Sequence, residues 1–175
     1  LLINCCGLAN FGPALSLSEA DEKAIWQVNY QAPIRLIKQV AERNRKIRLV
    51  QLSSLAALCP HPYLAAYSAS KVALQTYCLA LQEELRLKGS GVTVCLYILG
   101  PVQTSIFPQE LQDALGGSQL QMSPEIAARR IVRLFKQGRS YAIVGKRYRL
   151  LVWLMKLLPQ RWIIRLIGAY LRKGL

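Results

Sequence analysis

Four short, apolar, β-rich stretches, Leu1 to Asn4, Arg48 to Ser53, Val92 to Leu99 and Ser140 to Val144, are separated by longer segments of helical period. This alternation constrains the fold more than any other feature of the sequence. A strand that pairs in parallel with the next one needs a crossover, and the crossover helix buries the sheet face on which it packs. The expected fold class is therefore α/β, a parallel sheet with helices on both faces, followed by basic amphipathic C-terminal helices.

The helical segments carry their own punctuation. Ser18 to Arg43 brings Ile25, Val28, Ile34, Ile37 and Val40 near one face, with Ser18 as a cap and Asp21 in an acidic first turn. Tyr67 to Lys88 does the same with Val72, Leu74, Leu79, Leu81 and Leu85, and Gly89 ends it. A further helix starts at Ser123-Pro124-Glu125 and runs to about Gly138. No repeat or low-complexity linker interrupts the chain, so one domain is expected, residues 1–147, with residues 148–175 as a basic amphipathic extension of it.

Composition narrows the function classes. With 53% hydrophobic residues the chain has the material for a core, which excludes disorder. Its five cysteines are odd in number, irregularly spaced and mostly set among apolar neighbours, which predicts reduced core thiols and a reducing, cytoplasmic setting. A single His61 and the lack of a Cys-x-x-Cys pair predict no metal site.

The net charge of +14 is concentrated. Residues 1–128 carry 10 basic and 9 acidic side chains, whereas residues 129–175 carry 13 basic and none acidic. Such a tail suits an anionic membrane, nucleic acid or an acidic partner. Its apolar run from Leu150 to Leu158 is broken by Lys156 and stopped by Pro159, too short to span about 30 Å of hydrocarbon. Along the tail Trp153, Trp162, Ile163, Leu166, Ile167 and Tyr170 alternate with Arg161, Arg165, Arg172 and Lys173, the pattern of helices lying in a membrane interface. Peripheral association with an anionic membrane surface is the first reading, and a substrate lid or subunit contact is the second. Nucleic acid is not expected, since its binders rarely need so much aliphatic surface.

Ligands of open parallel sheets bind beyond the carboxyl ends of the strands, here just after Asn4, Ser53 and Leu99. After the second strand come Ser54 and then Tyr67-Ser68-Ala69-Ser70-Lys71. Tyr and Lys four apart on a helix share a face, and an ammonium beside a phenol lowers the phenol pKa from about 10, making Tyr67 a usable general acid or base. Chance supplies Tyr-x-x-x-Lys in many helices, so the pair alone is a weak signal.

Further pieces occur with it in one order. Ser54 precedes Tyr67 by thirteen residues; Val50 to Leu74 reads VQLSSLAALCPHPYLAAYSASKVAL; Trp26-Gln27-Val28-Asn29 lies upstream and Leu99-Gly100-Pro101-Val102-Gln103-Thr104 downstream; Asn4-Cys5-Cys6-Gly7 follows the first strand. Together they resemble the short-chain dehydrogenase/reductase family over about residues 1–145. The resemblance implies a Rossmann-like fold, NAD or NADP as cofactor, and hydride transfer between nicotinamide and an apolar ketone, aldehyde or secondary alcohol, a lipid-like one if the tail meets a membrane.

It also implies roles. Ser54 would bond the substrate oxygen, Tyr67 would give or take its proton, Lys71 would lower the Tyr67 pKa and hold the nicotinamide ribose, and Asn29 would order a water in a proton relay. Asn4, Gly7, Pro101, Val102 and Thr104 would complete the cofactor side. Cys5 and Cys6 depart from the family's Asn-Ala, and Leu99 stands where the family has Pro. The family's glycine-rich phosphate turn is absent from these 175 residues, which predicts a truncated chain that binds nucleotide poorly and exposes the Leu1 to Asn4 edge. The family also implies a homo-oligomer when full length. The alternative is a non-catalytic fragment or a membrane-associated interaction module.

Overall fold

A computed structural model of the chain describes residues 1–43, 46–107, 112 and 121–172. In chain order the elements are β1 (Leu2–Asn4), α1 (Glu19–Trp26), a π-helical turn (Gln27–Gln31), α2 (Ala32–Arg43), β2 (Ile47–Ser54), α3 (Ala65–Leu87), β3 (Val92–Leu99), α4 (Pro124–Lys136), β4 (Tyr141–Val144), α5 (Lys146–Met155) and α6 (Gln160–Leu171). The four strands form one parallel sheet in the order β1-β2-β3-β4. The expected α/β class and Rossmann-like arrangement are what the chain adopts.

Alternation along the strands explains the two cores. Leu49, Val94 and Leu96 point to one face, where they pack with Ile34 and Ile37 of α2 and Leu74 and Cys78 of α3. Val50, Cys95 and Tyr97 point to the other, against Ala127 and Ile131 of α4 and Tyr148 of α5. With both faces covered, β2 and β3 read as continuous apolar runs, and each fully buried aliphatic side chain contributes about 1.5–3 kcal/mol of transfer free energy.

Three expectations are corrected. The segment from Ser18 to Arg43 is not one α-helix, because the five-residue π turn separates α1 from α2. On α3 the buried stripe is Tyr67, Lys71, Leu74 and Cys78, while Val72 and Leu79, seven apart on another stripe, are 44% and 39% exposed. Finally, Cys5 and Cys6 are exposed rather than core thiols, since they lie past the end of β1; Cys59, Cys78 and Cys95 are buried as expected.

The C-terminal helices are built into the domain. The boundary expected at residues 147 and 148 falls inside α5, whose Tyr148 and Val152 are buried. Gly145, at φ +108°, is in a backbone region that disfavours side chains, and a Cβ there would meet Arg130 Nη1 at 2.9 Å and the Tyr148 ring at 3.0 Å. Pro159 separates α5 from α6, which turns Ile163 and Leu171 inward and leaves Trp162 and Leu166 exposed. Among the described residues no helix is long and apolar enough to cross a membrane.

Candidate active site

The end of β2 sets the site. Ser54 is the last residue of the strand, and its Oγ accepts the Ala56 N–H at 3.2 Å, starting a short turn over Leu55–Ala57. The loop that follows includes Tyr63, at φ +64°, the one non-glycine residue with positive φ among those described. It delivers the chain to α3, which places Tyr67 in its first turn and Lys71 one turn later. Both are buried, at 6% and 4% exposure. The Tyr67 hydroxyl faces the Ser54 side chain, which lowers its proton affinity, and Lys71 Nζ lies 5.8 Å from the centre of the Tyr67 ring while donating to the Leu52 carbonyl at 3.3 Å. Ser54, Tyr67 and Lys71 are thus one group at the carboxyl end of β2.

Asn29 joins them through the π turn. Its Oδ1 accepts the Leu8 N–H at 2.8 Å, and its Nδ2 donates to the Leu8 carbonyl at 2.8 Å and to Ser70 Oγ at 3.0 Å. Ser70 in turn donates to the Tyr67 carbonyl at 2.7 Å. A π turn widens the helix by one residue, and that widening swings Asn29 inward between the loop after β1 and α3. Both Nδ2 protons are spent on protein, so a water at Asn29 has the remaining lone pair of Oδ1 or a backbone carbonyl as its acceptor.

Gly7 closes the group from the β1 side: a Cβ built there would lie 3.6 Å from Lys71 Nζ and 3.8 Å from Asn29 Oδ1. The glycine leaves a cradle beside a lysine with three donors and one of them used, which fits a ribose hydroxyl pair. Asn4 supports that strand end from inside, donating through Nδ2 to Gln51 Oε1 at 2.8 Å and accepting the Cys6 N–H at 3.1 Å.

Burial dominates the electrostatics. It pushes the Tyr67 phenol above its ordinary value of 10.0, and the Ser54 side chain works in the opposite direction. Burial also holds Lys71 down to about 8, opposed by the nearby Cys6 thiol. The expected lowering of Tyr67 by Lys71 does not arise here: the phenol is desolvated, its ring is covered edge-on by Phe107 at 5.7 Å, and the side chain that lowers its proton affinity is Ser54.

The third strand end supplies the far wall. The Pro101 carbonyl accepts the Met122 N–H at 2.9 Å and the Tyr148 hydroxyl at 3.3 Å, and Val102 bridges to Met122. Thr104 is exposed, its Oγ1 3.5 Å from the Val102 carbonyl. Pro101, Val102 and Thr104 therefore lie on a tethered loop, but it is the following Ile106 and Phe107 that reach the group, packing toward Gly7 and Tyr67. A cavity of about 440 Å³ opens next to α3, lined by Phe11, Tyr63 and Ala66 among others; none of the four proposed catalytic side chains lines it.

Sequence reasoning passed over three participants. Ser70 sits one turn from Tyr67, and a small polar residue on the buried stripe of α3 was the available signal. Gln51, a lone amide in an apolar strand, pairs with Asn4 and keeps a buried Nε2 without a hydrogen-bond partner. The backbone of Leu8 carries no sequence signal at all.

The short chain dehydrogenase family model matches residues 1–114. The chain belongs to that family.

Among its relatives, the short-chain dehydrogenase PC-15 of Penicillium crustosum is 32% identical over 131 residues, covering 73% of this chain and 47% of that protein. The probable short-chain type dehydrogenase/reductase VdlC of Helicobacter pylori is 29% identical, covering 93% of this chain and 68% of its own length. In structure, a short chain dehydrogenase from Burkholderia cenocepacia in complex with NADP superposes with a TM-score of 0.77 at 20% identity, over 94% of this chain and 67% of that one, a likeness of fold. The chain spans about half the length of the first of these curated relatives.

Proposed function

We propose that the chain is the catalytic part of an NAD- or NADP-dependent oxidoreductase acting on an apolar ketone, aldehyde or secondary alcohol. The observation that carries this reading is the convergence of Ser54, Tyr67, Lys71 and Asn29, from three separate elements, on the carboxyl ends of β1 and β2. Nicotinamide nucleotide supplies the hydride donor or acceptor when bound. Lys71 and Gly7 would hold its ribose, and Asn4, Pro101, Val102 and Thr104 would shape the rest of its contact.

Ser54 Oγ orients the substrate oxygen, and the Tyr67 hydroxyl beside it transfers the proton. Burial of both Tyr67 and Lys71 keeps bulk water from the transfer. In the full-length protein, Tyr67→Phe should lower turnover by about 10² to 10⁴, read by nicotinamide absorbance, with substrate affinity little changed. Undiminished turnover rejects the role of Tyr67; absence of any nucleotide binding in the full-length protein favours the non-catalytic alternative.

The apolar substrate class has support at α6. Leu171 belongs to the same buried cluster as Tyr67, Ala56 and Leu64, with Ile167 packed against it, so the inner face of α6 walls the site. Its outer face, with that of α5, exposes Leu150, Trp153, Leu154, Trp162 and Leu166 at 45–62% among arginines. Such a face suits the interface of an anionic membrane, and the lid reading then describes the inner side of the same helix. Trp153→Ser with Leu154→Ser should cut sedimentation with anionic vesicles several-fold; unchanged sedimentation counts against the membrane. The free cysteines agree with a reducing, cytoplasmic location. Exposed Val72 and Leu79 on α3 suit a contact between copies in a homo-oligomer.

A further inference from the structure

Away from the active site, a groove of about 870 Å³ runs between α4, β4 and the start of α5. Six cationic side chains line it, Arg130, Arg133, Arg139, Lys146, Arg147 and Arg149, and no acidic residue does. Glu125, the last acidic side chain in the sequence, adjoins the lining residue Ile126 but does not itself line the groove. Gathering six like charges around one concavity costs Coulombic energy that a bound anion relieves. Guanidinium forks match phosphate oxygens two at a time, and the first residues of the ten-residue helix α5 also line the groove.

We propose that this groove binds the phosphate of an anionic phospholipid headgroup. The inference rests on the membrane reading of the C-terminal helices and deepens it by naming the site of contact. Lipid is favoured over soluble phosphate by what α5 carries next: on the exposed side that holds Lys146 and Arg149, one and two turns further on, are Leu150 and Trp153, 57% and 58% exposed. At 1.5 Å per residue Trp153 is about 10 Å along the axis from Lys146, so a headgroup held in the groove and the apolar side chains of α5 meet the same membrane surface. A second copy of the chain is a poor occupant, since it would bring the same cations to the same place.

The test compares two charge-matched variants of the full chain, Arg133→Gln/Lys146→Gln/Arg149→Gln in the groove and Arg161→Gln/Arg165→Gln/Arg172→Gln on α6. Each substitutes exposed side chains. Binding is measured to inorganic phosphate at constant ionic strength and to phosphatidylcholine vesicles with and without phosphatidic acid. The groove variant should lose saturable phosphate binding and at least about tenfold of its affinity for phosphatidic acid vesicles, while the α6 variant keeps phosphate binding within about twofold.

Equal losses in the two variants mean diffuse attraction and overturn the groove. Groove-dependent phosphate binding with no vesicle binding by the unsubstituted chain upholds the anion site but overturns the lipid as its source and the membrane reading with it. Groove-dependent binding of an oligonucleotide in place of vesicles overturns the lipid assignment.

Discussion

At position 71 an amine that water keeps charged well past neutrality is held by burial down to about 8. The native state therefore binds fewer protons here than the unfolded chain between about 8 and 10.5, so the stability contribution of Lys71 is complete above that window and is lost as the pH falls through about 8. Compared with Lys71→Met, the chain should gain of order 3 kcal/mol in urea unfolding between pH 7 and pH 10.5. A flat difference across that range would show the amine to be hydrated. Gly100 makes a steric demand: a Cβ there would lie 2.4 Å from the Tyr148 ring, whose hydroxyl is tied to Pro101. Gly100→Ala should cost about 1–3 kcal/mol, seen as a lower urea midpoint at unchanged slope. The sequence shows this glycine but not what it accommodates, because Tyr148 is far along the chain.

Between elements, single polar side chains do the joining. Asn29 ties the π turn to the loop after β1 and to α3, so Asn29→Ala leaves the Leu8 N–H and carbonyl without their partner in a protected place. About 1–3 kcal/mol of stability should be lost, together with hydrogen-exchange protection at Leu8. Loss of stability without exposure of Leu8 would contradict the joining role. Arg48 links β2 to the end of α4, donating to the Phe135 carbonyl at 2.9 Å with its guanidinium 4.0 Å from the Phe135 ring centre. A cation at a helix C-terminus, stacked on an aromatic ring, contributes about 1–2 kcal/mol, and Arg48→Leu should reveal it in thermal unfolding. Periodicity located every helix that these residues connect. It did not reveal the π turn, since one extra residue per turn leaves an apolar pattern nearly intact, nor did it separate the buried stripe of α3 from the stripe of Val72 and Leu79.

For the molecule as a whole, β1 is the end strand of the sheet, with one neighbour and a 64% exposed Leu1 beside it. Unpaired strand edges template pairing with other copies, so the 175-residue chain should scatter more light with rising concentration, and Leu1→Lys should reduce that scatter. Equal scattering by the two would place association elsewhere, for instance on the apolar face of α5 and α6. The parallel α/β class, the strand positions within a residue or two, and the candidate quartet Asn29, Ser54, Tyr67 and Lys71 were all legible in the sequence. Strand alternation and helical period are local consequences of burial, and the quartet sits in motifs of fixed spacing. Only the tertiary structure decided that burial and Ser54, not Lys71, set the Tyr67 proton affinity, that α6 walls the site from which it is a hundred residues distant, and that six scattered cations share one groove. Each of these depends on distances between residues remote in the chain, and a linear order of residues carries no such distances.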